Sequence, residues 1–136
     1  MRYLLDTNAI SEMRKVECGN RGFQNWASAN DPALCAVSVI TIGEIRRGIE
    51  DKRKKDAAQA RDIEAWLECV LAEFADNLLP VTEAIAEQWG RLISATDISD
   101  PDGLIAATAL EHNLTLVTRN VSDFEDTGVR ILNPWK

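Results

Sequence analysis

The chain contains one histidine, His112, and only three cysteines, Cys18, Cys35 and Cys69, which lie far apart in sequence. A mechanism needing two histidines is therefore excluded, and so is a zinc site built from closely spaced Cys or His pairs. The cysteines are expected to be reduced thiols, two of them in core segments, and His112 to be an exposed side chain near a helix end. No stretch approaches the roughly 18 to 20 continuous apolar residues that cross a bilayer. The opening MRYLL runs into DTN with neither an apolar signal core nor a cleavage site, so a cytoplasmic location without membrane contact is expected. Basic charge is scarce too: 22 acidic residues against 15 basic give a net charge of −7, which argues against holding nucleic acid by a broad basic surface. Internal repeats, low-complexity tracts and linkers are absent. The 136 residues, 46% hydrophobic, read as a single domain over residues 1–136 with one core.

What is present is a regular alternation of short apolar runs and amphipathic stretches. RYLL at 2–5 predicts a buried strand, with Asn8 as the cap of a brief helix over Ala9 to Met13. A helix is expected over 21–29, a strand at 34–38, and a helix carrying Glu44 near its start. Ile63, Trp66, Leu67, Val70, Leu71 and Phe74 keep helical spacing and predict one long helix over about 51–75. NLLPV then predicts a short strand, and Thr82 caps a helix that ends near 94–96. Asp100, Pro101 and Asp102 suit the first turn of a helix running to Asn113. LTLVT at 114–118 predicts a strand, 119–124 a loop or single helical turn, and VRIL at 129–132 a last strand. Such βα alternation predicts an α/β fold, a three-layer α/β/α sandwich with a mainly parallel sheet and ligands outside the carboxyl ends of its strands.

Four acids stand where strand passes to helix: Asp6, Glu44, Asp102 and Asp123. Each alone has an ordinary explanation as a turn, cap or surface residue. Gathered in one cleft they would repel one another unless a cation compensated, so together they point to oxygen ligation of Mg²⁺ or Mn²⁺. Two such ions about 4 Å apart can drive in-line attack of water on phosphorus. Asp6 and Asp102 are expected as direct ligands, with Glu44 and Asp123 completing a second position or orienting water; Asp100 is the fallback for Asp102. Arg14 and Lys15, Arg46 and Arg47, and Lys52 to Lys55 are basic clusters able to steer an RNA backbone, although a run such as KRKK is more often a solvated helix start. Arg119 is poised between phosphate contact and an ion pair. Trp26, Trp66 and Trp89 sit at helical apolar spacings and read as core or interface.

LLDTNAISE at 4–12, IGEIRRGI at 42–49, DGLIAATAL at 102–110 and LVTRNVSDF at 116–124 are four ordered segments that together resemble the PIN-domain family over essentially the whole chain. Within it the chain is most similar to bacterial toxin ribonucleases of VapC type, including the FitB-like branch. The resemblance implies a Mg²⁺- or Mn²⁺-dependent endoribonuclease acting as the toxin of a toxin–antitoxin pair. It also implies a homodimer, an RNA substrate, and a cognate antitoxin with a DNA-binding module through which alone the complex meets operator DNA. Asp6, Glu44 and Asp102 match the first three acids of the family, and Asn8 and Thr118 match polar positions that orient ligands or water. Some members place the fourth acid where this chain has Asn120; Asp123 is then the nearest substitute. A second reading is a FitB-like subunit of a DNA-binding regulatory complex with weak or no nuclease activity. An aspartyl-phosphate enzyme or receiver is a third, disfavoured because Asn8 stands where the phosphatase type wants an acid and Thr118–Arg119 where a receiver wants lysine.

Overall fold

Leu4 turns to one face of a sheet while Tyr3 and Leu5 turn to the other, and the same alternation divides Ala36 from Cys35 and Val37, and Leu116 from Val117. Strands buried on both faces need helices on both, and that requirement sets the three-layer α/β/α architecture. The computed structural model describes residues 1–15 and 18–136. Its strands are β1 (Tyr3–Leu5), β2 (Cys35–Ser38), β3 (Leu78–Leu79), β4 (Thr115–Val117) and β5 (Ile131–Leu132), in the order β3-β2-β1-β4-β5 with every pairing parallel. The helices α1 (Thr7–Met13), α2 (Arg21–Ala29), α3 (Val39–Arg53) and α4 (Ala57–Glu73) cover the face of Leu5 and Val37. The helices α5 (Glu83–Ala95), α6 (Asp100–Glu111) and α7 (Val121–Phe124) cover the face of Leu4 and Leu116. The chain leaves β1 in one direction toward β2 and β3 and later returns to its other side with β4 and β5. The resulting switch point lies between the carboxyl ends of β1 and β4, where α/β sheets open a crevice for ligands.

Local chemistry accounts for most element boundaries. Asn20, Ser38 and Thr82 each accept a backbone N–H from the first turn of the helix that follows. Asn113, at φ 55°, ends α6 in the left-handed region while the Leu114 N–H reaches back to the Ala109 carbonyl. The expectations at α1 and α4 need correction. The cap of α1 is Asp6, whose carboxylate accepts the Thr7 N–H at 2.8 Å; Asn8 lies inside the helix with its side chain free for other bonds. The expected helix over 51–75 is split, because Asp56 caps α4 by accepting the Gln59 N–H. Residues 51–58 carry nothing larger than Ala on the apolar side, so no face holds them straight, and the chain reverses there into the α3–α4 hairpin. KRKK is consequently the end of α3, where its cations suit the negative helix terminus. The hairpin is tied by an ion-pair network in which Arg46 and Arg53 both engage Glu50 and Glu64, so Arg46 is committed to structure.

Cys35 is buried, and burial pushes its thiol up to about 11, but Cys18 and Cys69 are both exposed, so only one cysteine belongs to the core. His112 is exposed at the end of α6. Trp26 packs edge-on against Tyr3 at 5.2 Å, and the Trp89 indole donates to the Asp100 carbonyl at 3.1 Å. Among the described residues no helix is long and apolar enough to cross a membrane.

Glu12 is an acid held in the interior. Its carboxylate accepts the Asn20 N–H at 2.7 Å and pairs with Lys15 at 3.4 Å. The Asn20 N–H, assisted by Lys15, holds its pKa below the usual glutamate range against the opposing effect of burial. A depressed folded-state pKa contributes stability that is complete above the unfolded value and is lost as pH falls through the folded one. Glu12→Gln is therefore expected to lower the melting temperature near about pH 7, with the gap to the parent closing as pH falls through the folded-state pKa of Glu12. Equal melting temperatures at neutral pH would refute this role.

Candidate active site

Asp6 directly follows β1 at the switch point and is only 4% exposed. A carboxylate so placed must be hydrogen-bonded on both oxygens, and it is. Oδ1 accepts the Thr7 N–H at 2.8 Å; Oδ2 accepts the Thr118 hydroxyl at 2.8 Å and the Asn8 amide at 3.1 Å. Thr118 is fully buried just beyond β4, and its oxygen in turn accepts the Asn8 amide at 3.2 Å and the Asn120 N–H at 3.0 Å. Asn8 closes the arrangement by accepting the Arg119 N–H at 3.1 Å. The ends of the two central strands are thereby fixed around one carboxylate.

The other acids border it. The Thr7 hydroxyl donates to Glu44 at 2.6 Å, orienting this half-buried acid of α3 from one side. Asp102 lies half-buried in the first turn of α6 and faces a cleft of about 410 Å³ shared with Asp97, Ser122, Asp123 and Asp126. Burial raises the Asp6 pKa despite the Thr118 and Thr7 hydrogen bonds, and the charges of Asp102 and Glu44 raise it further. Burial likewise raises that of Asp102, with Asp123 adding to it and Ser99 drawing it down. The four acids thus form an electrostatic chain in the order Glu44, Asp6, Asp102, Asp123. Burial and these neighbours disfavour the ionised forms of Asp6 and Asp102 in the absence of a cation.

Among the described residues, no three acidic, His or Cys side chains converge closely enough to make a ready coordination cage. An all-oxygen set that is this open fits a hard divalent ion retaining several of its own waters, as Mg²⁺ does, better than one enclosed by protein ligands. Of the two possibilities for the fourth position, Asp123 shares the cleft with Asp102, whereas Asn120 serves through its backbone N–H on Thr118 and leaves its side chain exposed. Asp100 is exposed and does not line that cleft, but Asp97 does. The Arg119 guanidinium lies over the Trp135 ring at 6.0 Å, so only its backbone reaches the site. Thr7 and Asp126 are the site residues that the sequence reading missed. A TN pair after a strand-ending Asp is the one cue that Thr7 offered, and Asp126 falls beside Asp102 only through the folding of the segment after β4. A larger depression of about 610 Å³ lies along α5, lined by Glu83, Glu87, Arg91 and Ser94, and none of the four acids borders it.

Comparison with known proteins bears on the family and the fold. The family model described as PIN domain matches residues 3–129. The toxin FitB of Neisseria gonorrhoeae is 33% identical over 97% of this chain and 97% of its own length. The VapC ribonuclease Y4jK of Sinorhizobium fredii is 35% identical over 98% of this chain and 97% of its own. In the solved structure of FitAB bound to an IR36 DNA fragment, the matching chain is 29% identical and superposes with a TM-score of 0.85, covering 98% of this chain and 96% of that one. A five-stranded parallel sheet with an acidic switch point, a family model spanning nearly the whole length and relatives above 30% identity lead to one conclusion: this chain belongs to the PIN-domain family.

Proposed function

We propose that this protein is a Mg²⁺- or Mn²⁺-dependent endoribonuclease and the toxin of a type II toxin–antitoxin pair. The observation that carries this reading is the placing of Asp6, Asp102, Glu44 and Asp123 around the switch point, where burial and the neighbouring acids disfavour the ionised forms of Asp6 and Asp102 until a cation joins them. A divalent ion held there would supply the acidity that makes water a nucleophile at phosphorus and the charge that stabilises the leaving oxygen. Asp6 and Asp102 are the residues to hold it, with Glu44 and Asp123 on either side. Thr118 and Asn8 keep the Asp6 carboxylate at one angle, and Thr7 does the same for Glu44, so little reorganisation is needed when substrate arrives.

The ribonuclease name of one relative and the toxin name of another support the same reading. Partners follow from it: an RNA substrate, a second copy of the chain, a cytoplasmic antitoxin with a DNA-binding module, and operator DNA reached only through that antitoxin. A net charge of −7 suits a chain that leaves DNA contact to its partner. The FitAB–DNA complex favours a second reading, in which the chain serves chiefly as a regulatory subunit with weak or no cleavage. Labelled total RNA incubated with purified, antitoxin-free protein in Mg²⁺, Mn²⁺ or EDTA separates the two. Discrete fragments confined to the metal lanes are expected; intact RNA in every lane would transfer the assignment to the regulatory reading.

A further inference from the structure

Beside Glu44 a second depression, about 400 Å³, runs between α1, α3 and α4. Thr7 and Glu44 form its inner end, so it is continuous with the acidic centre; Gly48 lies along its wall, and Arg14, Lys52 and Trp66 complete its outer part. Gly48 lies in the interior of α3, where glycine is a poor helix former compared with alanine. Packing within the chain does not account for it, because a Cβ built at this position would meet nothing within 4 Å. Its effect is to leave the wall open to the close approach of something else. Trp66 is half-buried, with the Arg14 guanidinium over its ring at 5.7 Å, which presents a flat apolar surface beside a planar cation. Lys52 adds a second positive charge on the same groove. Asp62 borders the outermost part next to Arg14.

We propose that this groove seats a nucleotide of single-stranded RNA flanking the scissile phosphate, its base against Trp66 and Arg14 and its phosphates between Arg14 and Lys52. The proposal rests on the nuclease reading of the acidic centre and adds a substrate subsite to it. A peptide would find the same apolar wall, but the pairing of a stacking platform with two cations in a chain of net charge −7 is the chemistry that single-stranded nucleic acid requires.

The test uses the full chain carrying Asp6→Asn, so that RNA stays intact, and a fluorescein-labelled 12-nucleotide single-stranded RNA of randomised sequence, with binding followed by anisotropy over a range of salt. Gly48→Leu projects into the groove, clears the surrounding atoms at its Cβ and improves helix propensity, and its melting temperature is measured beside that of the parent. It is expected to weaken binding by about tenfold or more. Arg14→Ala combined with Lys52→Ala is expected to flatten the dependence of log K on log salt by about 0.7 for each phosphate that is no longer neutralised. Unchanged affinity and slope in these variants, or no measurable binding by their parent, overturns the proposal. Retained RNA affinity in Gly48→Leu together with failure to co-purify with the antitoxin also overturns it and gives the groove to a protein partner. Cleavage of total RNA by the unsubstituted chain is measured in parallel. If that fails while RNA binding stays sensitive to Gly48→Leu, the nuclease reading falls and the groove assignment stands.

Discussion

Asp6→Asn is expected to reduce metal-dependent RNA cleavage by about 1,000-fold, equivalent to ~4 kcal/mol of transition-state stabilisation. The substitution keeps the size of the side chain and lets its carbonyl oxygen go on accepting the Thr7 N–H. What it removes is the negative charge at the centre of the acidic chain, and it replaces an acceptor facing Thr118 and Asn8 with a donor. An independent readout comes from binding linkage. Mn²⁺ at about 100 times its dissociation constant should stabilise the parent by ~2.7 kcal/mol, and this metal-induced rise in melting temperature should be absent from the variant. A variant that retains both full cleavage and the metal-induced shift would dismiss Asp6 from the site.

Gly103→Val is the second large effect, and it acts on stability and activity together. Gly103 is buried in α6 directly after Asp102, where α6 lies against α5. A Cβ at this position would stand 2.9 Å from Ile93 Cδ1 and 3.1 Å from Trp89 Cδ1. The isoleucine tip can turn aside, but the indole is held by its bond to the Asp100 carbonyl, so α5 and α6 must separate. Overpacking of this kind costs about 1 to 3 kcal/mol, which for a chain of this size is a fall of roughly 3 to 12 °C in melting temperature. Separation of the helices moves the first turn of α6, and with it Asp102, away from Asp6, so cleavage is expected to fall in protein that is still folded. An unchanged melting temperature would show that the α5–α6 packing is looser than its geometry indicates.

Much of this organisation was legible residue by residue. The apolar runs at 2–5, 34–38 and 114–118 were legible as strands, and Tyr3–Leu5, Cys35–Ser38 and Thr115–Val117 form them. The Thr82 cap, the Asp100–Pro101–Asp102 first turn and the helix ending near Thr96 were all marked by residues with specific backbone preferences. The helix expected over 51–75 was misjudged because a charge-rich segment satisfies helical periodicity without any apolar face to verify it. Cys69 was misjudged because a residue within an apolar helix still faces outward on one side in three.

The acids could be named from the chain alone because caps, first turns and strand ends are local properties, set by a few neighbouring residues. Their assembly is not local. Asp6 and Thr118 lie 112 positions apart and meet only because β4 pairs with β1 in parallel; Glu44 is aimed by Thr7 across 37 positions. The strand order, the choice of Asp123 over Asn120 in the cleft, the entry of Asp126 and the groove along Gly48 all arise when two apolar faces of one sheet are covered at once. Burial of that kind sums over the whole chain, so no short segment of it carries the information.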